Sequence, residues 1–170
     1  GKCHFYENGL EYLIYTHGLE VDPFHLNSIF PAKIKKGFVE VGDLLLSLRH
    51  MSMLLVYRPS SGKIVWHQSG PWLNQHSAKF DDQGDIYVFD NNLIDTHYNR
   101  RREDYHIYGG NKVLRMSVEN RKIYDFAPCS IDPTINTVTG GLVTITNQTM
   151  MISYKNIFTT VLCEKKQAKK

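Results

Sequence analysis

The chain has 170 residues, 42% of them hydrophobic, and a formal net charge of +3. This is long enough for one domain with a sizeable core, and much of the charge excess lies in the tail of residues 164–170, so no nucleic-acid partner is expected. No apolar run approaches the ~20 residues that span a bilayer. The three cysteines are widely separated, which argues against a structural zinc site and against a disulfide-dense scaffold; they are Cys3, Cys129 and Cys163.

Short aliphatic, β-branched and aromatic runs bounded by turn residues predict an all-β chain. Residues 10–16 predict one strand, and residues 22–29 predict a turn that leads into a second. A basic loop at 33–36 precedes a meander over 38–66, in which Pro59 and Gly62 mark a tight turn. No segment shows the apolar periodicity of an amphipathic helix.

A second series of strands is predicted to begin at Gln75-His76 and to continue through residues 86–89, 111–118 and 122–126. It is interrupted by a charged, tyrosine-rich segment over 92–110, and loops of this length are uncommon and tend to be functional or mobile. A third series is predicted within residues 135–162. Trp66 and Trp72 are expected to be core anchors rather than substrate platforms.

The first two series share polar residues at equivalent places. His25 followed by Gly42-Asp43 corresponds to His76 followed by Gly84-Asp85, and the two histidines are 51 positions apart. This spacing is close to the repeat length of four-stranded propeller blades, although a β-sandwich with evenly spaced strands is the alternative. The recurring polar positions favour the propeller, because the innermost strand of every blade lines the central channel.

We therefore predict a β-propeller of four-stranded antiparallel blades, with about three blades in residues 1–164 and a basic, disordered tail at 165–170. Propellers usually contain four to eight blades, and a three-bladed arc would leave strand edges exposed. The expectation is that the chain is a portion of a longer protein, or that it associates with other chains to complete the ring. In either case His25 and His76 are predicted to lie in one cavity, less than ~10 Å apart, because equivalent blade positions converge on the channel.

An ordered set of motifs over residues 22–126 resembles the arylsulfotransferase-like β-propeller family. In chain order the motifs are His25-x-Asn27-Ser, Ser-x-Arg49-His50, Ser-Gly-Lys-x-x-Trp66, Gln-His76 and Phe-Asp-Asn91. The resemblance implies transfer of a sulfuryl group from a small aryl sulfate to a phenol, with no nucleotide cofactor. It also implies a ping-pong scheme through a sulfated histidine, and an extracellular or periplasmic location.

The same resemblance assigns roles to particular residues. His25 and His76 take catalytic roles, and the residues matched to substrate binding are Asn27, Arg49, His50, Asn91 and Arg100. The last assignment rests on an arginine that follows Phe-Asp-Asn in relatives, and Arg101 or Arg102 fits it as well as Arg100. No metal site is expected, because no carboxylate or cysteine stands at ligand spacing beside His25 and His76.

One departure from the family leaves three interpretations open. In the bacterial enzymes of the family the sulfated histidine lies in a later blade, and this chain has no histidine after His106. Either the nucleophile lies outside this chain, or His25 or His76 serves instead, or the protein has lost activity. The alternative functions are a non-catalytic propeller that binds a ligand or another protein, and a subunit of a larger assembly in which other chains complete the ring.

Overall fold

A computed structural model describes the backbone of residues 22–96, 105–108, 111–125, 142–145, 150–154 and 157–161, and the side chains of residues 22–92 and 111–125. Every regular element in these ranges is a β-strand, as the alternation of short apolar runs and turn residues predicts. No helix that could cross a membrane occurs in the part of the chain that the structure describes. The predicted strand at 10–16 and the predicted tail at 165–170 lie outside the described residues.

The first sheet is an antiparallel meander of four strands in the order β1-β2-β3-β4. Its strands are β1 Leu26–Pro31, β2 Leu44–Leu48, β3 Met53–Arg58 and β4 Lys63–Ser69. The β3–β4 connection is the tight turn predicted at Pro59 and Gly62: the amide of Gly62, at φ 68°, donates to the carbonyl of Arg58 at 2.9 Å. The two middle strands read as nearly continuous apolar runs because they are buried on both faces of the sheet.

The second sheet has four antiparallel strands in the order β10-β9-β6-β5. Its strands are β5 His76–Phe80, β6 Ile86–Asp90, β9 Lys112–Met116 and β10 Ile123–Asp125. Between β6 and β9, two short strands, β7 Leu93–Thr96 and β8 Tyr105–Tyr108, pair with each other in the segment that the sequence marked as a long loop. A three-stranded antiparallel sheet follows, formed by β11 Leu142–Ile145, β12 Met150–Tyr154 and β13 Ile157–Val161.

One hydrophobic core joins the two four-stranded sheets. Leu54 and Val56 of the first sheet belong to the same buried cluster as Ile86 and Val88 of the second. Trp66 and Trp72 are also buried there, so the prediction that both are core anchors is confirmed. The all-β prediction is confirmed for the described residues, but no sheet closes on itself and the propeller is not established by these strands.

Each four-stranded sheet also buries a carboxylate that is paired with an arginine. Asp43 accepts hydrogen bonds from Arg58 Nε and Nη2 at 2.9 and 2.8 Å, and Asp85 pairs with Arg115 and with Lys36 Nζ. Burial alone would raise the pKa of Asp43 and of Asp85, but the hydrogen bonds and cations hold both pKa values below the usual range. The aspartates of the repeated Gly-Asp pairs are therefore buried ionic anchors.

Candidate functional site

The two histidines that the sequence paired both stand at irregularities in their strands. His25, at φ 47°, immediately precedes β1, whose pairing with β2 shifts register between Leu26 and Ser28. His76 begins β5, whose pairing with β6 shifts register between His76 and Lys79, with Ser77 at φ 53°. Bulges of this kind redirect the side chains beside them and recur next to active sites. The directions of both imidazoles are therefore set by a local irregularity of the strand and not by the regular alternation of its side chains.

Strands β1 and β5 lie side by side, and two hydrogen bonds fasten them together. Asn27 Nδ2 donates to the carbonyl of Gln75 at 2.7 Å, and Ser28 Oγ donates to the carbonyl of Ala78 at 3.4 Å. This contact brings the rings of His25 and His76 together, with their centroids 6.0 Å apart and the rings edge to face. The distance between the two rings is therefore below the ~10 Å predicted for two side chains that share one cavity.

A third imidazole joins the pair from the turn between β2 and β3. The amide of Arg49 donates to the carbonyl of His25 at 3.1 Å, which holds this turn against the start of β1. The ring of His50 then lies on that of His25, with 4.7 Å between centroids and an angle of 31° between planes. Three histidines from three different segments of the chain therefore form one cluster, which we call the imidazole cluster: His25, His50 and His76.

His76 is held in its neutral form at physiological pH. Burial, together with the positive charges of Arg49 and of His25, lowers the pKa of His76 from 6.5 to about 4. Burial is the larger cause, and the guanidinium of Arg49 and the ring of His25 disfavour protonation of His76 by charge repulsion. A neutral imidazole keeps a lone pair on one ring nitrogen, which makes it a nucleophile or a base.

Asp22 supports the cluster from the turn before β1. Its Oδ1 accepts the amide hydrogen of His25 at 2.9 Å, and its Oδ2 lies 3.1 Å from His25 Nδ1. Its backbone carbonyl oxygen lies 2.9 Å from His50 Nδ1. One residue therefore contacts the rings of both His25 and His50.

A buried amide holds the other side of the cluster. Gln75 is fully buried, and its Nε2 donates to Ser47 Oγ, to the carbonyl of Leu48 and to the carbonyl of Met53 at 3.1, 3.2 and 2.9 Å. These bonds fix the residue before His76 to both strands that flank the turn of Arg49 and His50. Gln75 therefore connects the three chain segments that carry the cluster.

The residues predicted to bind substrate separate into two groups. The structure places His50 in the imidazole cluster and bonds the backbone amide of the adjacent Arg49 to the carbonyl of His25. Asn27 uses its amide to fasten β1 to β5, while its buried Oδ1 has no hydrogen-bond partner among the described residues. Asn91 is buried and its amide donates to the carbonyl of Asn74, so it supports the loop that leads into β5. Arg100 lies outside the described residues, and all these functional roles stay predictions.

Two residues of the site were not predicted from the sequence. Asp22 was seen only as part of a turn and Gln75 only as the neighbour of His76. The signal for Asp22 was an aspartate three residues before a histidine, which is the spacing at which a carboxylate caps a backbone amide. Among the described residues, no three histidine, cysteine or acidic side chains are arranged to hold a metal ion.

Comparison with known proteins adds one finding. The family model described as Arylsulfotransferase (ASST) matches residues 10–162 of the chain. This range contains every strand and every member of the cluster described above. No curated protein and no solved structure was found to match the chain.

Proposed function

The chain belongs to the arylsulfotransferase family, and we propose that it transfers a sulfuryl group from an aryl sulfate to a phenol through the imidazole cluster. The single observation that carries this proposal is the neutral ring of His76 beside a second imidazole and the cation of Arg49. A nucleophile needs a lone pair, and a sulfate ester needs positive charge around it. The cluster supplies both within one group of side chains.

In the proposed first step, a ring nitrogen of His76 attacks the sulfur of the aryl sulfate. The new nitrogen–sulfur bond forms as the bond between sulfur and the aryl oxygen breaks, and the electron pair leaves on the phenolate. Arg49 stabilises the charge on the peripheral sulfuryl oxygens, as positioned cations do in phosphoryl transfer. His25 in its protonated form donates a proton to the leaving oxygen.

In the second step an acceptor phenol replaces the first. Its hydroxyl gives a proton to neutral His25, and its oxygen attacks the sulfur of sulfated His76. The nitrogen–sulfur bond breaks, the electron pair returns to the imidazole, and an aryl sulfate is released. Each histidine therefore ends the cycle in the state in which it began, and no cofactor is consumed.

Two structural features support a channel as the setting for this chemistry. Strands β1 and β5 are the first strands of their sheets, and they contact each other directly. Strand β11 of the third sheet also contacts β5 and β6. We propose that the sheets are blades of a propeller with the cluster at its channel, an arrangement in which first strands are neighbours.

The test is the release of a coloured phenol from p-nitrophenyl sulfate in the presence of an acceptor phenol. We expect turnover by the wild-type protein, and a sulfated peptide containing His76 when the acceptor is omitted and the protein is digested for mass spectrometry. The His76→Asn variant should show neither, whereas His67→Asn, which changes an exposed histidine of β4, should keep both. Turnover that survives in His76→Asn would refute the assignment of the nucleophile.

A further inference from the structure

The contacts of Asp22 determine which ring nitrogen carries the proton in two members of the cluster. A carboxylate and a carbonyl can only accept hydrogen bonds. His25 Nδ1 faces the carboxylate of Asp22 at 3.1 Å and His50 Nδ1 faces its carbonyl at 2.9 Å. In the neutral form of either ring, Nδ1 must therefore carry the hydrogen and Nε2 must carry the lone pair.

We infer that Asp22 is a positioning residue, which acts on the reaction through His25 by reserving Nε2 of that ring for proton transfer. This inference rests on the proposed function, in which neutral His25 accepts the proton of the acceptor phenol. A ring with its hydrogen on Nε2 could not accept a proton there. The carboxylate therefore selects the tautomer that the second step requires.

Tautomer selection, rather than charge, is the main effect of Asp22. The side chains of Asp22 and His25 are 61% and 40% exposed, and ion pairs between exposed groups contribute little because water and salt screen them. The direction of a hydrogen bond is not screened in this way. A substitution that keeps the shape of the Asp22 side chain, but turns its hydrogen-bond acceptor toward His25 into a donor, should therefore impair the reaction almost as much as removal of the side chain.

The informative substitution is Asp22→Asn. The amide oxygen of asparagine can still accept the backbone N–H of His25, so the turn before β1 is kept. Its NH₂ group then faces Nδ1 of the ring and donates to it, which moves the hydrogen of neutral His25 to Nε2. His50 is an internal control, because its Nδ1 contacts the backbone carbonyl of residue 22, which the substitution leaves in place.

The tautomers can be read from two-bond ¹H–¹⁵N correlation spectra of the labelled full chain at about pH 8, where an ordinary imidazole is neutral. We expect the proton on Nδ1 in both His25 and His50 of the wild type. In Asp22→Asn the proton of His25 should move to Nε2 while His50 is unchanged. A wild-type His25 with its proton on Nε2, or an unchanged His25 in the variant, would overturn the inference.

The kinetic readout separates a positioning role from loss of binding. With p-nitrophenyl sulfate and phenol, Asp22→Asn should lower kcat about tenfold with little change in the KM for phenol, which is below the roughly 10²–10⁴-fold contribution of a group that transfers the proton itself. Sulfated His76 should accumulate, because the second step is the one impaired. The matched control Asp82→Asn changes an exposed aspartate of the β5–β6 turn and should behave as wild type.

The two hypotheses fail in different ways. If the wild type transfers no sulfuryl group, the proposed function is wrong, and the spectra still decide whether Asp22 fixes the tautomer of His25. If the wild type is active and Asp22→Asn shifts the tautomer without lowering kcat, the positioning role is refuted and the proposed function stands.

Discussion

Replacing His76 by asparagine should remove a pH-dependent part of the stability of the protein. The folded-state pKa of His76 is lowered from the ordinary value of 6.5 to about 4, first by burial and then by Arg49 and His25. Above pH 6.5 the ring is neutral in both the folded and the unfolded chain, so it adds no pH dependence there. As the pH falls below 6.5, the unfolded chain takes up a proton that the folded chain does not, and stability is lost until the pH reaches about 4.

The size of this loss follows from the displacement of the pKa. One pKa unit corresponds to about 1.36 kcal/mol, so the full shift sets an upper limit of about 3 kcal/mol. Because the ring is partly exposed, solvent screening reduces the expected loss to about 1–2 kcal/mol. The loss belongs to the wild type and should be absent from His76→Asn.

Urea unfolding at a series of pH values, followed by the fluorescence of buried Trp66 and Trp72, measures this loss. Other titrating groups contribute equally to the wild type and the variant, so they cancel in the difference between the two free energies of unfolding. We expect that difference to shift in favour of His76→Asn as the pH is lowered from about 7 to about 4.5. His67→Asn should track the wild type throughout. A difference that does not change with pH would refute the claim that the fold keeps His76 neutral.

Three further substitutions test the surroundings of the cluster. Arg49→Met removes a cation that repels a proton from His76, so the pKa of His76 should rise in an NMR titration, and kcat/KM for an aryl sulfate should fall about 10²–10³-fold; an unchanged pKa would contradict this. Gln75→Leu leaves buried carbonyls without their donor and should lower the free energy of urea unfolding by about 2–3 kcal/mol, and a loss below about 0.5 kcal/mol would show that the amide is not needed. Asp43→Ala removes the carboxylate that pairs with Arg58 and should lower the free energy of urea unfolding, whereas Asp43→Ala with Arg58→Met should cost less than the sum of the two single changes; additive losses would refute the coupling.

The strands could be predicted from local sequence because each is a short apolar run between turn residues. The meander is the clearest case, since Pro59 and Gly62 specify the turn and the runs on either side are too short for helices. The paired strands within 92–110 could not be predicted in this way. Each has four residues, and their pairing, with Leu93 opposite Tyr108, joins positions separated by a charged connection. Pairing at that distance depends on tertiary packing, which a local pattern does not contain.

The sequence indicated the histidines that lie together better than it indicated the residues that hold them in place. The equivalent positions of His25 and His76 in the two series of strands led to the expectation that they share a cavity, and the rings are close. Gln75 was not predicted because its partners lie 22 to 28 positions away in the sequence. Asn91 was predicted to touch substrate, which stays a prediction, and the structure shows its amide donating to the carbonyl of Asn74 in the loop before β5. Residue type indicates what chemistry a side chain can perform, but only the fold shows whether that chemistry is used on substrate or on the backbone.

Backbone strain around the cluster favours a functional interpretation over a chance meeting of histidines. Left-handed φ values are costly for residues other than glycine, by roughly 1–3 kcal/mol each, and such residues concentrate where a site must be shaped in advance. Six non-glycine residues have positive φ among the described residues, and four of them lie in the cluster or in the segments that lead to it: His25, Ser52, Asn74 and Ser77. The other two are Asn92 and Arg121. Two of the four are held by hydrogen bonds to their amides: that of His25 by the carboxylate of Asp22, and that of Asn74 by the hydroxyl of Ser52 at 3.1 Å. His25 and Ser77 stand at or beside the two imidazoles, so this strain lies where the rings of His25 and His76 meet.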